Sequence, residues 1–93
     1  MNQSQTTDLQ VKVTLHDVTK RIPTCQTYKE LSEHCRKVCD QNQVPHDWFM
    51  RITYLDIDGD KLEVTDDSDL QMAYATALSA DFRVKFQIDL PGY

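Results

Sequence analysis

The sequence predicts an α+β fold in which two helices pack on one face of a single mixed sheet, in the order ββαββαβ. Three observations carry that prediction. LQVKVTL (9–15) and FRVKFQI (82–88) alternate apolar and polar residues with period two, as half-buried strands do. Thr27 and Glu30 form a T-x-x-E capping box ahead of apolar residues at helical spacing. Pro45 stops that helix from continuing, and Gly59 marks a turn between two further strands.

Taken in order, Leu9, Val11, Val13 and Leu15 form the inward face of the first strand, and Gln10, Lys12 and Thr14 point away from it. HDVT supplies a short turn, and KRIPTC (20–25) is the hairpin partner. Pro23 removes a ladder donor and assigns that second strand to an edge. The first helix runs from Thr27 to about Gln41, with Tyr28, Leu31, Cys35, Val38 and Cys39 on one stripe. It stops before NQVP, because Pro45 prevents continuation. Trp48 to Leu55 is the third strand, with Met50, Ile52 and Tyr54 inward. Gly59 marks a turn into the fourth strand, KLEVT, which bears Leu62 and Val64. Asp66 and Asp69 occupy the cap and third position of a second helix whose Leu70, Ala73, Tyr74 and Ala77 face the core. In the last strand Phe82, Val84, Phe86 and Ile88 point inward and Arg83, Lys85 and Gln87 outward. This order is that of the ubiquitin-like β-grasp.

Length and composition narrow the function. Ninety-three residues make one domain, expected over 9–89, between a frayed tail at 1–8 and a C-terminal tail at 90–93. No apolar run approaches the ~20 residues of a membrane span, and no signal peptide follows Met1. Three cysteines cannot all pair within the chain, which points to a reducing, cytoplasmic setting. Cys35, Cys39 and His34 lie near one another on the first helix but lack the paired ligands of a zinc site, so no metal and no cofactor are expected. The net charge of −5 is unevenly spread. Residues 1–51 hold seven Lys/Arg against six Asp/Glu, and residues 52–93 hold three against nine. A net-acidic chain is poorly suited to phosphate backbones or acidic headgroups, so neither nucleic acid nor membrane is an expected partner.

The acid is concentrated in YLDIDGDKLEVTDDSDL (54–70), which carries seven carboxylates and one cation, Lys61. Asp56, Asp58 and Asp60 imitate the first three positions of an EF-hand loop, but Gly59 falls fourth rather than sixth. The twelfth residue is Asp67 rather than Glu, and the flanks read as strands. Divalent-cation binding is therefore a remote alternative. Acid–base catalysis needs carboxylates with separated pKa values beside a nucleophile or base, and no such motif accompanies these. His16, His34 and His46 stand singly, and the chain does not read as an enzyme. Asp66 and Asp69 are explained by the helix start. Asp56, Asp58 and Asp60 are not; they repel one another and call for a positive counterpart. Lys12, with Lys20 and Arg21 on the paired strand, supplies a cationic patch.

Residues 54–70 resemble the acidic signature of PB1 domains, and VKV…TKRI resembles the basic element of the same family. The likeness spans residues 9–89; its departures are a tight hairpin turn and a short PTCQT link between strand two and helix one. It implies an interaction module that associates front to back, acidic face on basic face, with PB1-type domains of its own kind or of another protein. The implied acidic face is Asp56, Asp58, Asp60 and Asp69, with Asp67 and Glu63 as helpers. The implied basic face is Lys12 and Arg21, supported by Lys20. A chain bearing both faces, the mixed type I/II class, is expected to form a salt-sensitive head-to-tail homo-oligomer that scaffolds signalling assemblies. A chain using only its acidic face is an adaptor for a basic PB1 partner.

Overall fold

The computed structural model describes residues 9–93, so the tail expected over residues 1–8 lies outside it. The elements are β1 (Gln10–Leu15), β2 (Val18–Ile22), α1 (Tyr28–Gln41), β3 (Arg51–Leu55), β4 (Lys61–Val64), α2 (Asp67–Leu78) and β5 (Arg83–Asp89). The five strands form one sheet in the order β2-β1-β5-β3-β4. Only β1 and β5 run parallel; the other pairs are antiparallel. This is the ββαββαβ β-grasp that the alternation and capping signals predict.

Val11, Val13 and Leu15 of β1 and Val84, Phe86 and Ile88 of β5 form the centre of the inner face. Leu31, Cys35, Val38 and Cys39 of α1 and Leu70, Ala73, Tyr74 and Ala77 of α2 close over them. Each large apolar side chain buried there contributes about 1.5–3 kcal/mol.

Several boundaries differ from the sequence reading. The β1–β2 turn is only His16-Asp17, since Leu15 already pairs with Val18 and His16 takes a left-handed φ of 55°. A two-residue turn matches the twist of its flanking strands, and β2 therefore starts at Val18 and ends before Pro23. β3 begins at Arg51 rather than Trp48, because Trp48 is held outside the sheet by a hydrogen bond from its Nε1 to the Pro91 carbonyl (3.2 Å). Met50 is accordingly only partly buried, as is Tyr28. Leu62, on the edge strand β4, stays 40% exposed. Phe82 does not point into the core: it has φ 61° just before β5, which interrupts the pleat, and the alternation begins at Val84. The residues expected as a C-terminal tail fold back, with Tyr93 edge-on to Trp48 at 5.2 Å and stacked on His16 at 6.3 Å between centroids.

Two polar devices fasten the helices. At the end of α1, Val44 N–H donates to Cys39 O (3.0 Å) and Gln43 N–H to Asp40 O (3.1 Å), a Schellman closure. It requires a left-handed residue, and Gln43 fills the position at φ 67°. From α2, the Tyr74 hydroxyl accepts from Cys25 N–H (3.0 Å) and donates to Cys25 O (2.8 Å), both buried. Gln43→Gly should stabilise the domain by about 0.5–1 kcal/mol, since glycine removes the left-handed penalty but costs chain entropy. Tyr74→Phe should cost about 1–3 kcal/mol by leaving the Cys25 peptide groups unpaired. Urea unfolding of each variant measures both.

Candidate functional site

The acidic stretch folds as the β3–β4 hairpin and the start of α2. In the hairpin loop Asp56 Oδ1 accepts the backbone N–H groups of Asp58 and Asp60, both at 2.9 Å. Asp56 N–H donates to Asp60 O (2.9 Å) and Gly59 N–H to Asp56 O (3.0 Å), with Gly59 at φ 84°. A side chain that organises its own turn in this way is a common role for Asp. The turn brings carboxylate oxygens of Asp56, Asp58 and Asp60 within 4.8 Å of one another. Three like charges at that separation favour a cation between them. The flanking elements are antiparallel strands, not the helices an EF-hand needs.

The neighbouring acids have local duties. Asp66 Oδ1 accepts from Asp69 N–H (2.9 Å), capping α2. Asp69 Oδ2 accepts from both the backbone N–H (2.9 Å) and hydroxyl (2.8 Å) of Thr65. Those Thr65 hydrogen bonds hold the Asp69 carboxyl below its ordinary value. Asp67 Oδ1 accepts the Tyr28 N–H at 2.7 Å, joining the starts of the two helices. Glu63 pairs with Arg51 at 3.5 Å across the outer face of the sheet. The carboxylates of Asp58 and Asp60 accept no hydrogen bond within the described residues.

The cations lie toward the other edge. Lys12 pairs in register with Arg21 of β2 on one side and with Lys85 of β5 on the other. All three are on the outer face, away from the helices, and no described carboxylate forms an ion pair with any of them. Lys12 is half-buried and its two neighbours are exposed. Lys20 departs from the expected cluster. It pairs in register with buried Val13, so it leaves the sheet on the helix side and donates from Nζ to Gln41 Oε1 of α1 at 2.8 Å. Period-two geometry separates it from Lys12, although β2 is an edge strand. Lys85 was legible as outward-facing, but its place beside Lys12 comes from a parallel pairing that spans the whole chain.

Other candidates resolve as structure. Cys25, Cys35 and Cys39 are buried free thiols. Burial, with Cys39 and Cys25 adding to it, pushes the Cys35 thiol up to about 12, so it packs in the core in its neutral form. The histidines stay apart: His46 meets Asp40 at 3.1 Å and His16 stacks on Tyr93. A cavity of about 300 Å³ between β3, β5 and α2 is lined by no carboxylate, thiol or imidazole. No helix among the described residues is long and apolar enough to cross a membrane.

With acid grouped at the β3–β4 side of a β-grasp sheet and cations across its β2–β1–β5 side, the chain can be compared with known proteins. The PB1 domain family model matches residues 8–89, and the chain belongs to the PB1 domain family, whose members are protein-interaction modules rather than enzymes. Among solved structures, the AtNBR1-PB1 domain aligns with a TM-score of 0.60 at 21% identity, covering 88% of this chain and 96% of that one. The AtNBR1-PB1 filament (L-type), determined by cryo-EM, aligns with a TM-score of 0.63 at 26% identity over the same shares. No curated protein sequence matches the chain.

The Asp69 hydrogen bonds carry a pH signature. A carboxyl lowered by folding stabilises above its unfolded pKa, near 3.9, and that contribution is lost as pH falls through the lower folded value. Asp69→Asn should therefore be less stable than wild type at pH 7 and converge with it in strong acid, as followed by thermal melts across a pH series.

Proposed function

We propose that this chain is an oligomerising PB1 module whose acidic face docks onto the basic face of the next copy. Asp56, Asp58, Asp60 and Asp69 form the acidic face, with Asp67 and Glu63 at its margin. Lys12 and Arg21 form the basic face, and Lys20 meets a partner that approaches the open β2 edge. The observation that carries this reading is a double mismatch of charge: three carboxylates within 4.8 Å on one side, and on the other outer-face cations with no described acidic partner. Four strand spacings, roughly 19 Å, separate the β2 and β4 edges, and no ion pair among the described residues joins the two sets. The filament formed by the similar AtNBR1-PB1 domain supports self-assembly as the outcome.

An exposed ion pair contributes only ~0–1 kcal/mol, so affinity must come from several pairs formed together. A lysine ammonium inserted among Asp56, Asp58 and Asp60 forms several charge-assisted contacts at once and loses part of its water. Because the two surfaces differ, the contact is heterologous and repeats until a ring closes or a filament grows. The partner is a second copy or another PB1 domain; neither nucleic acid nor membrane enters this reading, and the setting proposed is cytoplasmic.

Self-association should weaken as salt rises, since screening confines exposed charges to about 8 Å at physiological ionic strength. Sedimentation velocity across a salt series measures this. Asp58→Ala/Asp60→Ala is the informative acidic variant, because Asp56 also holds the loop together. It and Lys12→Ala should each be monomeric, yet form one-to-one pairs when mixed. A mixture of folded variants that stays monomeric would overturn the two-faced reading. A wild type that is monomeric at every salt but binds a basic PB1 domain would instead establish an acidic-face adaptor.

A further inference from the structure

We infer that Lys85 is the third member of the basic face, so that the docking surface crosses from β2 over β1 to the sheet's central strand β5. The inference rests on the front-to-back reading and extends it to a residue outside the two elements that carry the basic motif. Its basis is register. Lys12 stands opposite Arg21 in the antiparallel β1–β2 ladder and opposite Lys85 in the parallel β1–β5 ladder. Adjacent strands lie ~4.8 Å apart, so three positive side chains line up as one row on the outer face.

Such a row is unfavourable for the isolated domain, because like charges directly opposite each other destabilise a sheet. Nothing on that face relieves it among the described residues. Glu63 is engaged by Arg51 and Asp89 by Lys61. The flanking outward positions on the side of the next row are Thr19, Thr14 and Gln87, which are neutral, and Thr14 and Thr19 bond each other at 3.0 Å. β5 is an internal strand, so Lys85 has no edge to protect. A row that costs the monomer and has no internal counter-charge fits an anionic surface delivered by another molecule, and the acidic loop of a second copy offers one.

Opposite effects on folding and association distinguish this role from a structural one. Lys85→Gln, which keeps the stem and removes the charge, should weaken self-association about five- to tenfold at low salt. The same substitution in the Asp58→Ala/Asp60→Ala background, where assembly does not contribute, should raise the melting temperature by about 2–4 °C at low salt. That gain should disappear in about 0.5 M salt, where screening removes the repulsion. Wild-type association by Lys85→Gln while Lys12→Ala is monomeric overturns the inference and leaves the front-to-back reading intact. Undiminished association by both variants overturns both. A fall in melting temperature together with association also overturns it, since that is the behaviour of a packing residue.

Discussion

The parallel pairing of β1 with β5 is the constraint on which the rest of the molecule depends. It joins the first and last strands of the fold at residues more than seventy positions apart, and closing so long a loop costs chain entropy that the buried pairs must offset. Six register pairs then align Val11 with Val84, Val13 with Phe86 and Leu15 with Ile88, which are the buried centre. The same ladder fixes everything outside it. With β1 and β5 internal, β2 and β4 become the edges, and the two charged regions are pushed to opposite sides of the sheet.

Much of this architecture was legible from local pattern. Strict alternation in 9–15 and 82–88, the Thr27/Glu30 box and the Asp66 cap all express interactions between residues a few positions apart. They located the elements and most of the core. What escaped depended on distant partners or unusual backbone angles. Phe82 has the right parity to face inward, but its left-handed φ turns it out. Trp48 has the composition of a strand residue, yet Pro91 holds it elsewhere. Hairpin pairing alone brings both Lys20 and Arg21 close to Lys12, but register puts Lys20 on the other side of the sheet. The acidic residues themselves were all visible. Their division into structural and unoccupied carboxylates was not, because it depends on which N–H group each one faces.

That division explains how the chain tolerates so much negative charge. Asp66, Asp67 and Asp69 each accept from a backbone amide, and Asp56 from two. Carboxylates held this way complement the positive ends of peptide dipoles and stabilise the helix starts and the turn. The stretch is thus a scaffold first, on whose rim the carboxylates of Asp58 and Asp60 stand without internal donors among the described residues.

The three cysteines matter in a different respect. Each lies in the interior, and burial raises all three thiols above their ordinary value. Thiolate is the form that attacks another sulfur, so a folded copy presents almost none of it. The folded domain therefore has little thiolate with which to start a disulfide with a neighbouring molecule.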